Sequence, residues 1–347
     1  MKIRGFCVVF CKFLLFFEPE KKLNKDLIFM YNTSMIAIII LAVIIVLLLL
    51  YIWISYFVYG KIFYTPNKHQ LLHGDEPMDA EGKEALEKIN DLFSALKNEP
   101  YEEVFIESFD DLKLRGRFYQ YHLNAPIAIC FHGYRGNPVR DFCGGFDVLK
   151  KLGYNILLVD HRGHEKSEGH TITLGIKEKR DVLSWTEYVN DRFGEETKIL
   201  LCGISMGAYS VLACAATYEL PSNVKGVFAD CPYNSPKDIV SKVCKHDLHV
   251  PLFIGYPFLF LAATMFGKFN LKSIDLSLRA EKIKVPALII HGDADTFVPP
   301  YMSKAIVDNN PSIEYYLFEG AGHGLSFVID KDRYYQIAKE FTDKIMK

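Results

Sequence analysis

The sequence lacks the patterns on which metal and nucleotide sites are usually built. It has no H-E-x-x-H, no C-x-x-C and no G-x-x-x-x-G-K, so neither a zinc site nor a phosphate-cradling loop is indicated, and no metal or cofactor is expected. It also lacks charge of one dominant sign. Lys and Arg (40) nearly balance Asp and Glu (42), a formal net charge of −2, and no basic stripe offers to neutralise a phosphate backbone. Nucleic acid is not an expected partner. Cys130 and Cys202 lie inside apolar runs and read as small buried hydrophobes. The spacing of Cys143, Cys214, Cys231 and Cys244 argues for no particular disulfide and leaves the redox compartment open.

Residues 35–54 form an unbroken apolar run, and no charge occurs in 27–60. That length crosses a hydrocarbon core of about 30 Å, and the run has no polar face of the kind a soluble core helix keeps. A transmembrane helix over 35–59 is expected. Tyr51, Trp53, Tyr56 and Tyr59 cluster at its C-terminal end, where amphipathic rings favour the headgroup layer, and Lys61 follows as an anchor. Lys21, Lys22 and Lys25 outnumber Lys61 and Lys68, which sets the N-terminus in the cytoplasm and the following domain outside it, as a single-pass protein. That orientation rests on translation from Met1, and a start at Met35 would remove the upstream lysines. Residues 1–34 are thus a segment whose presence depends on the start codon, and the short apolar run at 6–17, broken by Lys12, is too short to span.

Residues 61–77, with Pro66, Gly74 and Pro77, read as a linker, and 79–97 has apolar residues at helical spacing, so 60–100 is taken as linker and leading helix. The main folded domain is expected at 101–347. It opens with a two-stranded hairpin, 101–109 and 112–121, turning at Asp110 and Asp111 with one solvated face. Short apolar runs follow at 127–131, 155–159, 198–202, 224–229, 287–290 and 314–318. Helical patterns at 177–193, 207–218, 301–309 and 331–346 supply crossovers between them. The expected class is α/β, with a mostly parallel sheet, antiparallel N-terminal strands and helices on both faces. An insertion at about 232–282 reads as a cap. Its stretch 251–269 is strongly apolar, and either packs on the core as a cap helix or lines an acyl pocket and dips into the bilayer.

Gly203-Ile204-Ser205-Met206-Gly207 follows one apolar strand run and opens a helical one. A serine in such a strand-turn-helix setting stands exposed above the sheet edge at a helix N-terminus. Its hydroxyl needs a base to take its proton and a third group to orient that base. Candidates lie downstream at ends of strands, in His291-Gly292-Asp293-Ala294-Asp295-Thr296-Phe297-Val298-Pro299 and in Gly322-His323-Gly324. With Phe131-His132-Gly133-Tyr134 and Asp160-His161-Arg162-Gly163-His164, these stretches resemble the α/β-hydrolase family, in particular its bacterial serine-esterase and lipase-like members, over roughly 101–346.

The resemblance implies an α/β-hydrolase fold with a cap, Ser205 as nucleophile, His323 as base and Asp295 as acid. It implies an oxyanion hole from the backbone N–H groups of Met206 and Tyr134. Asp293 is the near alternative to Asp295 and is expected in a turn; Asp230 is a displaced-acid alternative. His132 and His291 are expected to shape turns, and His161, His164 and His170 to lie on the surface near the pocket mouth. The implied activity is hydrolysis of a small-molecule or lipid-like acyl ester at a membrane. Thioesterase, peptidase, acyltransferase and non-catalytic scaffold readings remain alternatives. The sequence says nothing of oligomeric state.

Overall fold

The computed structural model describes residues 25–65, 80–271 and 274–347, and its compact units part between Ile54 and Ser55. The segment 1–24, with the run at 6–17, Lys21 and Lys22, lies outside the described residues, as does 66–79 with Lys68. The first unit is the apolar stretch of helix α1 (Lys25–Ile62) up to Ile54. Phe29–Ile62 is long and apolar enough to cross a membrane by length and composition, and extends past the expected 35–59 at both ends. Its aliphatic side chains are exposed, as Leu41 and Val46 illustrate.

The second unit departs from expectation at its start. Lys61 to Thr65 are not a loose linker: Phe63 is fully buried, with its ring 5.1 Å from that of Phe269, and Tyr64 bridges Thr171. An aromatic residue beside the sequence's helix end has surface to bury, and the cap offers a partner.

The remaining elements alternate as the apolar runs require. After α2 (Ala80–Asn98) come β1 (Glu102–Glu107), β2 (Lys113–Tyr119), β3 (Ile127–Phe131), α3 (Pro138–Lys151), β4 (Asn155–Val159), α4 (Glu178–Phe193), β5 (Ile199–Ile204), α5 (Met206–Thr217) and β6 (Val224–Asp230). The insertion holds α6 (Pro236–Lys242), a π-helical turn Val243–Asp247, α7 (Leu252–Leu261), a second π-turn Ala262–Phe266, α8 (Leu276–Arg279) and a 3-10 turn Ala280–Lys282. The chain closes with β7 (Ala287–Gly292), α9 (Tyr301–Asn309), β8 (Glu314–Phe318), α10 (Ser326–Ile329) and α11 (Lys331–Ile345).

The strands form one sheet in the order β1-β2-β4-β3-β5-β6-β7-β8, parallel except at β1/β2 and β2/β4. Alternate residues face opposite layers. Ile129, Phe131, Leu157, Leu201, Val227 and Ile289 pack with α4, α5 and α9, whereas Cys130, Leu158, Leu200, Phe228 and Ile290 pack with α2, α3 and α11. Both faces are covered, which is why the central strands read as continuous apolar runs. The six described cysteines, Cys143, Cys214, Cys231 and Cys244 among them, are free and buried.

Helix α3 was not expected. Gly144-Gly145 lowers its propensity, but Asn137 caps it, accepting from Val139 N and Arg140 N, with Pro138 in the first turn. Gly144 is required by packing, because a Cβ there would lie 2.3 Å from the Phe327 ring. The expected solvated face of the hairpin also fails at β2, which lies between β1 and β4 and is buried through Arg115 and Arg117. Arg115 is accommodated by ion pairs to Asp160 (3.0 Å) and Glu103 (3.0 Å).

A second buried guanidinium ties the layers together. Arg162, 2% exposed, forks onto both oxygens of Asp181 in α4 and both oxygens of Asp110 in the β1–β2 turn. Removing a charge from such a pair strands its partner in a dry site. Arg162→Met is expected to destabilise the protein by about 3–5 kcal/mol in equilibrium urea unfolding; a loss below ~1 kcal/mol would show the fork to be energetically neutral.

Candidate active site

Strand β5 ends at Ile204 and helix α5 starts at Met206, so Ser205 alone makes the turn, with φ 54° and ψ −111°. That conformation is unfavourable for a side-chain-bearing residue. It is held by Ser205 N–H donating to Asp230 O (2.8 Å) and by two backbone approaches that leave no room for side chains. A Cβ on Gly207 would lie 1.8 Å from Phe131 O, and one on Gly203 would lie 2.4 Å from Gly207 C. The glycines of the G-x-S-x-G pattern are therefore steric requirements of this turn.

Three strand ends then meet. His323, after β8, lies with Nε2 3.0 Å from Ser205 Oγ and Nδ1 2.7 Å from Asp295 Oδ2, Asp295 being in the loop after β7. Because Nδ1 faces a carboxylate it carries the hydrogen, leaving Nε2 to accept from the serine hydroxyl. Ser205 is 6% exposed and the Asp295 side chain fully buried, while the His323 side chain keeps 27% of its surface. Phe297 packs edge-on against the His323 ring at 5.1 Å.

Asp295 is surrounded by donors. Oδ1 accepts from Phe297 N (3.0 Å) and Val298 N (2.8 Å), and Oδ2 faces His291 Nε2 (3.1 Å) as well as His323. Burial alone would raise its pKa, but hydrogen bonds from His291 and His323 outweigh that and hold the carboxyl well below its ordinary range. His291 Nε2 also faces Val298 O (2.8 Å); with two acceptors before it, that nitrogen carries a hydrogen, while Nδ1 lies against Ser303 Oγ, whose own hydroxyl donates to Pro232 O. His291, expected only to shape a turn, is thus a second partner of the carboxylate. Its signal was the fixed spacing H-G-x-x-D, which on a strand end followed by a tight loop returns the Asp side chain to the His.

The rival acids stand apart. Asp293 is exposed and accepts from Gly320 N (2.7 Å) in a turn. Asp230 accepts from Tyr334 OH (3.1 Å), and burial raises its carboxyl to about 6. Cys231, beside it, offers the only metal-ligand grouping among the described residues, together with Asp295 and His323. Those two already bond each other, and burial pushes the thiol up, so the grouping fits a hydrogen-bonded site better than a cation.

The expectation for the histidines of the D-H-R-G-H stretch is corrected. His161 and His164 are not on the surface: like His132 they are buried, and His132 meets each of them edge-on at 4.7 Å. His161 N–H donates to His132 Nε2 (3.2 Å), and His132 Nδ1 bonds Gly133 O (2.8 Å), a pattern that needs a neutral His132 ring. Surface placement failed because Arg162 and Asp160 are drawn inward by their own partners, carrying the flanking histidines with them. His170 is exposed, as expected.

Met206 directly follows Ser205 as the first residue of α5. The loop carrying Tyr134 lies against the serine, since a Cβ on Gly133 would lie 3.5 Å from Ser205 Cβ. A carboxylate, an imidazole and a strained serine are thus aligned at the carboxyl edge of an open, doubly wound α/β sheet, with a capping insertion after β6.

A description of the α/β-hydrolase fold matches residues 126–245. YqkD, an uncharacterized protein of Bacillus subtilis, is 24% identical over 220 residues, 63% of this chain and 71% of its own length. The α/β-hydrolase domain-containing protein WAV2 of Arabidopsis thaliana is 22% identical over 274 residues, 75% and 84% of the two lengths. An esterase structure from Pyrococcus furiosus superposes with TM-score 0.58 at 23% identity, covering 73% of this chain and 94% of that one. The chain has the α/β-hydrolase fold.

Two outcomes follow. Gly207→Ala cannot be accommodated without moving β3 or α5, and is expected to destabilise by about 3 kcal/mol or more in urea unfolding; an unchanged midpoint would refute the steric reading. Burial holds His132 well below its ordinary range, His161 at about 3 and His164 at about 4. Below about 6.5 the unfolded chain therefore binds more protons at these rings than the folded one. The stability they allow is complete above that pH and is lost as the pH falls. His164→Gln should flatten the acid side of the Tm-against-pH curve, and parallel curves would count against it.

Proposed function

We propose that this protein is a membrane-anchored serine hydrolase that cleaves acyl esters through an acyl-serine intermediate. The observation that carries the reading is the continuous chain Ser205 Oγ, His323 Nε2, His323 Nδ1, Asp295 Oδ2, at 3.0 and 2.7 Å. In the proposed first half-reaction Ser205 Oγ attacks the ester carbonyl as His323 Nε2 takes the hydroxyl proton. The carbonyl oxygen gains its charge facing the N–H groups of Met206 and Tyr134, and His323 returns the proton to the departing alcohol. Water then repeats the sequence on the acyl-serine. Asp295, held as a carboxylate by its donors, keeps Nδ1 protonated and balances the imidazolium that forms twice per turnover. His291 acts through Asp295 as a positioning residue.

The finer features follow from the surroundings. The apolar helix favours a single membrane span, and the lysine distribution favours an extracytoplasmic domain over residues 101–347 with the insertion 232–282 as cap. The cap exposes Phe253 (80%), Ile254 (47%) and Met265 (53%), which favours a lipid-like acyl substrate.

The test is covalent labelling of the detergent-solubilised full chain with a fluorophosphonate, beside turnover of p-nitrophenyl esters of increasing acyl length. Wild type should label and hydrolyse. Ser205→Ala should abolish labelling, and His323→Ala and Asp295→Asn should lower kcat about 10³–10⁴-fold. A folded wild type that neither labels nor hydrolyses would replace the enzyme reading with that of a binding scaffold.

A further inference from the structure

We propose that residues 59–65, where the apolar helix ends, are a positioning strap that holds the oxyanion loop in its working shape. The inference rests on the serine-hydrolase reading above, because it assigns the Tyr134 N–H to the oxyanion hole. The loop 133–136 is tight: Gly136 N–H donates to Gly133 O (3.0 Å), and Arg135 sits in the left-handed region at φ 50°. A side-chain-bearing residue keeps that conformation only where its surroundings hold it there.

One side of the loop is held from the catalytic domain, where Asp141 Oδ2 accepts from Gly133 N (2.9 Å). The other side is held by the helix end. Tyr134 OH donates to Ile62 O (2.6 Å), and Arg135 Nη2 donates to Lys61 O (2.7 Å) and Tyr64 O (3.4 Å). The carbonyls accepting these bonds belong to the last helical residues and those just past them, where helix carbonyls have no intrahelical donor.

The strap is itself fixed. Ile172 N–H donates to Phe63 O (2.8 Å), Thr65 N–H donates to His170 O (2.9 Å), and Tyr59 OH pairs with Thr171 Oγ1 (2.7 Å). Tyr59 and Tyr56 also pack on Phe266 of the cap, at 6.0 and 5.2 Å between ring centres. One short segment thereby links the loop, the segment 170–172 and the cap. Both side chains on the loop reach the strap, so the strap acts through the loop and not on the substrate. Displacing a catalytic donor by about 1 Å costs on the order of 100-fold in rate.

The test uses the full chain in detergent and compares Tyr134→Phe, Arg135→Ala, the double variant and Arg135→Lys. Active sites are counted by fluorophosphonate titration, so that kcat refers to competent molecules only, and amide hydrogen exchange is followed in peptides covering 132–137. Each single loss is expected to lower kcat about 10-fold and the double variant about 100-fold, with KM within about two-fold, because an oxyanion donor acts mainly in the transition state. Arg135→Lys, which keeps a donor, should recover most of the Arg135 loss, and exchange in the loop should rise in the double variant. An unchanged kcat per titrated site, a change confined to KM, or a fall only in the number of titratable sites would overturn the strap. Wild type without turnover would overturn the hydrolase reading instead, and exchange would still judge the strap: unchanged loop protection in the double variant overturns it.

Discussion

The arrangement of the site depends on one tight backbone crossing. Where β5 gives way to α5, Gly207 passes so close to the carbonyl of Phe131 that no Cβ fits, and Gly203 is pressed as closely against Gly207. Ser205 between them has a positive φ, so its side chain leaves the sheet and stands at the sheet's carboxyl edge. The crossing also fixes how near the β3 end can come, and hence places Gly133 against Ser205 Cβ. Strand order does the rest, because β6, β7 and β8 lie in sequence beside β5 and deliver Asp230, Asp295 and His323 to that edge.

Burial sorts the polar groups around this crossing into two electrostatic classes. Asp295 keeps its charge because four donors converge on it, and Arg115 and Arg162 keep theirs through carboxylates at hydrogen-bond distance. His132, His161 and His164 have no such counter-charge at contact distance, and burial leaves them neutral. A neutral His132 can donate to Gly133 O and accept from His161 N–H at once, which an imidazolium cannot do. Ionised groups therefore orient the proposed base, and uncharged ones support the loop across from it.

The apolar helix enters this picture through its last residues. Phe63 and Phe269 pack together, the carbonyls of Lys61, Ile62 and Tyr64 accept from the side chains of Tyr134 and Arg135, and Tyr59 and Tyr56 lie on Phe266. The end of the segment that reads as a tether by composition is thus built into the same compact unit as the site. The insertion that packs on these tyrosines also exposes Phe253, Ile254 and Met265.

The sequence by itself determined the features with short, local signatures: the central strands as apolar runs, the opening hairpin, the serine turn, and the chain order of serine, aspartate and histidine. Each reflects a constraint acting within a few residues, such as the exclusion of Cβ atoms around Ser205. Helix α3 carried its cap and its proline but was hidden by two glycines, whose reason, the Phe327 ring, lies far along the chain. Only the tertiary structure decided that His161 and His164 are buried, that His291 shares Asp295 with His323, and that residues 61–64 accept hydrogen bonds from the side chains of Tyr134 and Arg135. In each case the deciding partner is distant in sequence or reached through a fold in the loop. Hydropathy and spacing register what a residue is, whereas burial and hydrogen bonding depend on what the folded chain brings beside it.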